Sequence, residues 1–276
     1  MSRPVYLVDG ARTPFLKARG EPGPFTPVDL AVQAGRPLLM RQPFAASAFD
    51  LVILGCVNVI QDEMNPARVA ALRLGMGEQQ VAFTVQINCG SGMQSIDTAM
   101  RYIRDGSHEM ILAGGTEALS HAPLVYSRDA TEWYGDLAKA KSPLDKAKAF
   151  ADVRPDFFLP VIGLERGLTD PITKLNMGQT AEVLAHRFGI DRITADTYAD
   201  ESHHRLAAAQ DEGRLKGEVV PVFDTNGRAH EIDDGVRPNS SVEKLGKLNP
   251  AFEKPYGKVT PGNSSQITDG ASWVIL

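Results

Sequence analysis

Cys89 combines a reactive side chain with a position suited to catalysis. A strand-like run, residues 81–88, leads into it, and apolar residues follow at helical spacing: Met93, Ile96, Met100 and Ile103. Cys89 is therefore predicted at a helix N-terminus, where free backbone N–H groups and the helix dipole favour a thiolate over a thiol. Gly90 and Gly92 leave room for a bulky substrate and allow a tight turn. The spacing alone leaves two interpretations open, a nucleophile and a buried structural cysteine.

The bulk composition argues against several classes of protein. A chain of 276 residues with 43% hydrophobic content can bury the core of one large domain or two small ones. The net charge is −5 and no segment concentrates Lys and Arg, so we expect no nucleic-acid partner. The N-terminus lacks the pattern of a secretory signal, and no run approaches the roughly 18 apolar residues of a membrane span.

The cysteine count limits the chemistry further. Cys56 and Cys89 are too few for a disulfide framework, and neither has the paired spacing of a zinc site. We therefore predict no metal site and a reducing compartment, the cytoplasm.

The elements that must position Cys89 alternate between strand-like and helix-like segments, and this alternation predicts an α/β fold with a helix-covered sheet. The predicted strands are residues 5–9, 51–55, 81–88, 110–115 and 270–276, and the predicted helices are residues 27–39, 66–74 and the segment after Cys89.

Residues 122–244 have a different texture, with helical stretches and irregular connections, and are predicted to be an insertion. Their most regular helix is predicted to start at an N-cap, Thr194, and to reach Glu212, with Gly213 closing it. Residues 218–223 are predicted to form an edge strand, because Pro221 cannot donate to a ladder.

Several stretches together resemble the thiolase family, in the expected order and over essentially the whole chain. The stretches are Val8-Asp-Gly-Ala-Arg-Thr-Pro-Phe15, Asn88-Cys-Gly-Ser-Gly92, residues 114–123, Met177-Gly-Gln-Thr-Ala-Glu182, residues 203–213 and residues 259–271. Residues 136–142 and 156–160 look more like the β-subunits of fatty-acid-oxidation multienzyme complexes than like the short-chain biosynthetic members.

This resemblance implies a layered α/β core with a mixed five-stranded sheet between helices, and an inserted, mainly helical loop domain that holds coenzyme A. The core would be residues 1–121 and 245–276, and the loop domain residues 122–244. Family members continue into a second half with a Gly-His-Pro segment and a Cys-x-Gly cysteine, and neither occurs in these 276 residues. We therefore expect that this sequence alone does not turn over.

The activity implied by the resemblance is thiolytic cleavage of 3-ketoacyl-CoA in fatty acid β-oxidation, with Cys89 as the acyl-accepting nucleophile. Arg237 is expected near the adenine of coenzyme A and Ser265 on its pantetheine. No cofactor is expected, since acyl-CoA and CoA are substrates. The implied partners are a second copy, paired through residues 81–87, and a hydratase/dehydrogenase subunit of a β-oxidation complex.

Other residues and other functions compete with this interpretation. Glu117 and His121 are predicted to have structural roles, and Asn176 stands where many short-chain thiolases have His. The alternatives are a short-chain acetyl-CoA C-acetyltransferase, a decarboxylating ketoacyl synthase and a non-catalytic acyl-CoA-binding protein of the same fold. The synthase is disfavoured because such enzymes usually place Ala and a run of Ser around the cysteine.

Overall fold

The computed structural model describes residues 3–276. Its strands are β1 (Asp9–Arg12), β2 (Leu16–Lys17), β3 (Leu51–Gly55), β4 (Val81–Val85), β5 (Ile111–Ala118), β6 (Leu124–Val125), β7 (Val161–Ile162), β8 (Val222–Phe223), β9 (Ala229–His230) and β10 (Thr268–Ile275). Its α-helices are α1 (Pro27–Met40), α2 (Pro66–Arg73), α3 (Ser91–Asp105), α4 (Arg128–Lys139), α5 (Pro143–Ala151), α6 (Gly163–Gly167), α7 (Met177–Arg187), α8 (Arg192–Asp211) and α9 (Val242–Gly246).

The chain forms two compact units. The first contains the residues up to His121 together with Ala181–Leu276, and the second contains Ala122–Thr180. Residues 181–244, which the sequence assigns to the inserted domain, thus belong with the first unit by their contacts. The assignment of residues 122–244 as a coenzyme A-binding domain stays a prediction.

The main sheet of the first unit has the strand order β1-β10-β5-β3-β4. Strand β3 runs parallel to both β4 and β5, whereas β10 is antiparallel to β5 and to β1, so the sheet is mixed. The short strand β2 also pairs with β10, beyond the end of β1, so β1 and β2 together occupy one edge position. The predicted mixed sheet is confirmed, and it has six strands where five were predicted, because β2 adds to the edge that β1 occupies.

Both faces of this sheet are covered by helices, because its central strands are apolar on both sides. Every residue of β3 is buried. On one face α1 and α2 contribute to a large core; its largest fully buried side chains include Trp273, Phe49, Leu30 and Leu38. On the other face α3 packs Ala99 and Ile103 against Ile53 and Ile111. The sheet thus holds α3, the helix that follows Cys89, on a rigid layer.

Some element boundaries differ from the sequence-based predictions. The first strand begins at Asp9, whereas residues 5–9 were expected, because Asp9 pairs with Ile275 near the end of β10. Helix α8 starts earlier than predicted, since the carboxylate of Asp191 accepts the amide hydrogen of Thr194 (2.8 Å) and is the N-cap. The predicted edge strand at 218–223 is reduced to β8, which pairs with β9.

The second unit is organised around an aromatic cluster. Serine N-caps begin both of its longer helices, α4 and α5. The indole N–H of Trp133 donates to the Ala149 carbonyl (2.7 Å), which ties α4 to α5. The rings of Tyr134 and Phe157 lie 4.8 and 5.7 Å from the Trp133 ring. Between residues 3 and 276 no helix combines the length and the apolar character needed to cross a membrane.

Candidate functional site

Cys89 lies in a strand-to-helix turn, residues 86–92, which we call the cysteine elbow. It stands immediately before Gly90, the residue that precedes the first turn of α3. Asn88 has a φ of 55°, a left-handed conformation that asparagine tolerates better than most residues. The Ser91 hydroxyl accepts the Ile87 amide hydrogen (2.9 Å) and donates to the Asn88 carbonyl (2.6 Å). These local bonds, which join the Ser91 side chain to the backbone of Ile87 and Asn88, fix the elbow.

Glycines bring the start of α3 against the carboxyl end of β3 and the middle of β5. A Cβ atom added at Gly55 would lie 2.5 Å from the Ser91 carbonyl oxygen and 2.6 Å from the Gly92 nitrogen. A Cβ added at Gly115 would lie 3.1 Å from the Gly92 Cα. In addition, the Ser95 hydroxyl donates to the Gly114 carbonyl (2.6 Å). The backbone of β3 and β5 therefore fixes how closely the cysteine elbow approaches the sheet.

The two thiols lie in opposite environments. Cys89 is exposed, whereas Cys56 is 1% exposed. Burial raises the pKa of the Cys56 thiol, and the charges of Glu117 and Glu63 raise it further. Cys56 is therefore an inert core thiol, and Cys89 is the one that a substrate can reach.

Glu117 and His121 have the contacts of structural residues. The Glu117 carboxylate accepts the backbone N–H groups of Val57 (2.9 Å) and Asn58 (3.0 Å) and so holds the loop after β3. Burial raises the pKa of Glu117, and those two hydrogen bonds oppose the increase. The His121 ring nitrogen Nε2 lies 2.9 Å from the Gly23 carbonyl oxygen.

Ser265 lines a cavity of about 400 Å³ in the first unit, which we call the first cavity. One wall is a stripe of α8, and the opposite wall comes from segments 233–236 and 262–266. The Ser265 side chain is exposed, and its hydroxyl donates a long hydrogen bond, 3.3 Å, to the Gln266 carbonyl. Gln266 Oε1 is buried there without a hydrogen-bond partner among residues 3–276. An unpaired buried acceptor of this kind fits a cavity that receives a polar ligand.

Arg237 lines a second cavity, also of about 400 Å³, which we call the second cavity. Its other walls are Pro238, Asn239, Ser240, Lys244, Leu245 and Leu248. Arg237 and Lys244 make it cationic, and none of its lining residues among residues 3–276 is acidic. The Ser240 hydroxyl oxygen is buried without a partner in the described part of the chain. Two cations beside an apolar wall can hold a phosphorylated heterocycle, because Arg both stacks and pairs with phosphate.

The structure adds a residue that the sequence interpretation did not single out. His203 lines the first cavity, and its Nδ1 accepts the backbone N–H of Arg237 (3.2 Å), which lines the second. A helical stripe was the available signal: Tyr198, Ala199, Ser202, His203 and Leu206 recur at one-turn spacing and line the first cavity together. Cys89 lines neither cavity.

Asn176 begins α7. Its side-chain oxygen accepts the Gln179 amide hydrogen (2.8 Å), while the Gln179 side chain accepts the Asn176 amide hydrogen (3.0 Å). This reciprocal pair is a capping box, which explains an asparagine at this position without any contact to substrate.

An exposed cysteine on a glycine-packed elbow, carried by a layered α/β unit with two cavities that polar side chains help to line, defines a protein of the thiolase fold. The chain belongs to the thiolase family, since the family model of the thiolase N-terminal domain matches residues 5–276.

The chain is also similar to individual proteins named as thiolase-type enzymes or their subunits. The chain is 38% identical to the human mitochondrial trifunctional enzyme subunit beta over 274 residues, which cover 99% of this chain and 57% of the relative. It is 35% identical to a probable acetyl-CoA acyltransferase of Staphylococcus aureus, covering 99% of this chain and 65% of the relative. The chain thus spans about three fifths of the length of these relatives.

Solved structures give the same result. A crystal structure of human mitochondrial 3-ketoacyl-CoA thiolase in complex with CoA is similar, with a TM-score of 0.83 and 31% identity over 98% of this chain and 63% of that one. The acetyl-CoA acetyltransferase of Bacillus anthracis is similar with a TM-score of 0.82 and 30% identity, over 98% of this chain and 64% of that one.

Proposed function

We propose that this chain supplies the nucleophile and part of the coenzyme A site of a 3-ketoacyl-CoA thiolase. The observation that carries the proposal is the exposed Cys89 on the cysteine elbow, immediately before α3. The similarity to the human trifunctional enzyme subunit beta supports a role in fatty acid oxidation.

The chemistry follows from the properties of a thiolate. Cys89 attacks the 3-keto carbon and forms a carbon–sulfur bond. The carbon–carbon bond to the acetyl-CoA portion then breaks, and that portion leaves as an enolate that takes up a proton. The thiol of a second CoA attacks the acyl-cysteine, releases Cys89 as a thiolate and gives up its own proton. A thiolate suits both steps because it is a good nucleophile and a good leaving group.

The two cavities are proposed to bind coenzyme A. Arg237 and Lys244 line the second cavity and would take the adenine nucleotide, because its phosphates are anionic. Ser265 lines the first cavity and would take the pantetheine, whose amides need hydrogen-bonding partners. Coenzyme A is a substrate in this proposal, and no cofactor is proposed.

Alkylation tests the nucleophile assignment. In the 276-residue chain, we expect iodoacetamide to modify Cys89 at least about a hundredfold faster than Cys56, because burial both excludes the reagent and suppresses the Cys56 thiolate. Peptide mass spectrometry at several pH values measures both rates. Cys56→Ser is the matched control and should leave the Cys89 rate unchanged. Equal, slow modification of both cysteines would instead favour a non-catalytic acyl-CoA-binding protein.

Acylation tests the chemistry itself. Incubation with acetyl-CoA should leave an acetyl group on the peptide that contains Cys89, and Cys89→Ala should abolish it. CoA binding without any acetylation of Cys89 would contradict the proposal.

The expectation that these 276 residues alone do not turn over stays a prediction, and an assay with acetoacetyl-CoA and CoA tests it. Turnover close to that of a complete thiolase would contradict it.

Two further assignments belong to this proposal. A homodimer is proposed through β4, because within the described residues β4 is an edge strand that pairs with β3 alone, and its first residue, Val81, is 61% exposed. Sedimentation of the protein beside a Val81→Pro variant tests this pairing.

A reducing compartment, the cytoplasm, is proposed because both described cysteines are free thiols, although the human relative is named as mitochondrial.

A further inference from the structure

His203 connects the two cavities that are proposed to hold coenzyme A. It projects from α8 into the wall of the first cavity, where Ser265 also lies. Its Nδ1 accepts the backbone N–H of Arg237 at 3.2 Å, and Arg237 lines the second cavity. The two residues are 34 positions apart, so this bond joins two separate segments of the first unit.

The bond constrains the protonation state of His203. A backbone N–H can only donate, so Nδ1 must keep its lone pair, and the ring must be neutral with its proton on Nε2. A protonated imidazole has an N–H at both ring nitrogens. Protonation would therefore replace an acceptor by a donor facing the Arg237 amide, and the bond would be lost.

The surroundings favour the neutral ring. Burial lowers the pKa of His203, and the positive charge of Arg237 lowers it further. On α8, Asp200 opposes this effect while His204 adds to it. Among the charged residues of the facing segments, Asp233 also lines the first cavity, but it forms an ion pair with Arg12 (2.8 Å). The wall from residues 262–266 contributes no charged side chain.

We propose that His203 is a positioning residue that holds the Arg237 segment ready for coenzyme A when its ring is neutral and releases that segment when the ring is protonated. This inference rests on the proposed coenzyme A site. The sign is fixed by the direction of the shift. A histidine whose pKa is lowered in the folded protein keeps its interaction above about pH 6.5, the ordinary value, and loses it as pH falls through the lowered value.

Three proteins separate positioning from simple packing: the unchanged chain, His203→Asn and His203→Ala. The side-chain oxygen of Asn can replace Nδ1 as the acceptor but does not titrate, whereas Ala removes the acceptor. Calorimetry with CoA is carried out from pH 8 to pH 5. At pH 7.5 we expect His203→Ala to bind CoA about three- to tenfold more weakly, the equivalent of one hydrogen bond, and His203→Asn to bind like the unchanged chain.

The pH profile gives the decisive comparison. Below pH 6.5 the affinity of the unchanged chain should fall towards that of His203→Ala, while His203→Asn keeps its advantage over Ala. The 3′-phosphate of CoA itself gains a proton at a pH of about 6, so each affinity is divided by that of His203→Asn at the same pH. A constant ratio between the unchanged chain and His203→Asn from pH 8 to pH 5 would overturn the inference.

A measurement without CoA keeps the two proposals distinguishable. The amide resonance of Arg237 in a ¹⁵N-labelled sample should shift with the titration of His203 in the unchanged chain and stay constant in His203→Asn. Failure of all three proteins to bind CoA would overturn the proposed function, while this titration would still decide whether His203 controls the Arg237 segment. An Arg237 amide that does not respond to pH would overturn the inference in either case.

Discussion

Gly55→Ala provides the strongest test of how the cysteine elbow is positioned. A methyl group at Gly55 would lie 2.5 Å from the Ser91 carbonyl oxygen and 2.6 Å from the Gly92 nitrogen. Ordinary contacts between non-bonded atoms are about 3.5–4.0 Å, so the first turn of α3 must move away from β3 by roughly 1 Å. Both partners are backbone atoms of a helix and cannot rotate aside as a side chain can.

The expected cost follows from that clash. Overpacking of one methyl group in a rigid interior costs about 1–3 kcal/mol, and we expect about 2 kcal/mol here. For a unit of this size, that corresponds to a decrease in Tm of about 4–8 °C. Urea unfolding of Gly55→Ala beside the unchanged chain measures the free energy of unfolding. The rate at which iodoacetamide modifies Cys89 reports whether the residue has been displaced. This rate should change in the same variant that loses stability.

Gly92→Ala is the matched control, because a methyl group there lies 3.7 Å from the nearest atom, the Gly115 Cα, which is ordinary contact. In the first turn of α3 this substitution should be neutral or stabilising by up to about 1 kcal/mol, since Ala favours a helix more than Gly does. A Gly55→Ala protein whose stability lies within about 0.5 kcal/mol of the control would refute the idea that the β3 backbone supports the elbow.

Two further predictions concern carboxylates outside the cavities. The guanidinium of Arg41 lowers the pKa of Asp9 to about 2, although burial opposes this, and the pair is partly exposed to solvent. Asp9→Asn should therefore lower the free energy of unfolding by only about 1 kcal/mol at pH 7. This difference in stability from the unchanged chain should vanish as pH falls from about 4 to 2, because Asp9 becomes protonated in that range. A difference that stays constant from about pH 4 to 2 would contradict the reasoning. The buried carboxylate of Glu182 accepts the amide hydrogens of Lys258 (2.9 Å) and Val259 (2.8 Å). Glu182→Gln turns one acceptor into a donor and should lower the free energy of unfolding in urea by about 2 kcal/mol. A loss below about 0.5 kcal/mol would show that the carboxylate does not hold the segment at residues 258–259.

Local sequence signals predicted the parts of the fold that depend on local physics. Strand β3 has the predicted bounds, and α1 and α2 match to within a residue, because an apolar run and a proline in the first helical turn act over a few residues. The position of Cys89 before a buried helix was predicted for the same reason. The N-cap of α8 was misplaced because Asp191 and Thr194 are both good caps, and only the carboxylate bond decides between them.

Features that depend on distant segments could not be predicted from local patterns. The first strand starts at Asp9 because its partner is β10, more than 250 residues away in the chain. The hydrogen bond between His203 and Arg237 likewise requires α8 to face a loop 34 residues later. No periodicity in either segment encodes that pairing, so the link between the two cavities became visible only in the folded unit.

The place of β10 in the sheet has a consequence for biosynthesis. Strand β10 lies between β1 and β5, and its register joins Asp9 to Ile275 and Leu112 to Ile275. A nascent chain can assemble β3, β4 and β5 early, but β1 has no partner in the main sheet until β10 has been synthesised. During that time one edge of β5 stays open to pairing with other chains, which is a hazard for aggregation. Folding of the first unit should therefore be slow, because β1 and β10 pair across more than 250 residues of intervening chain.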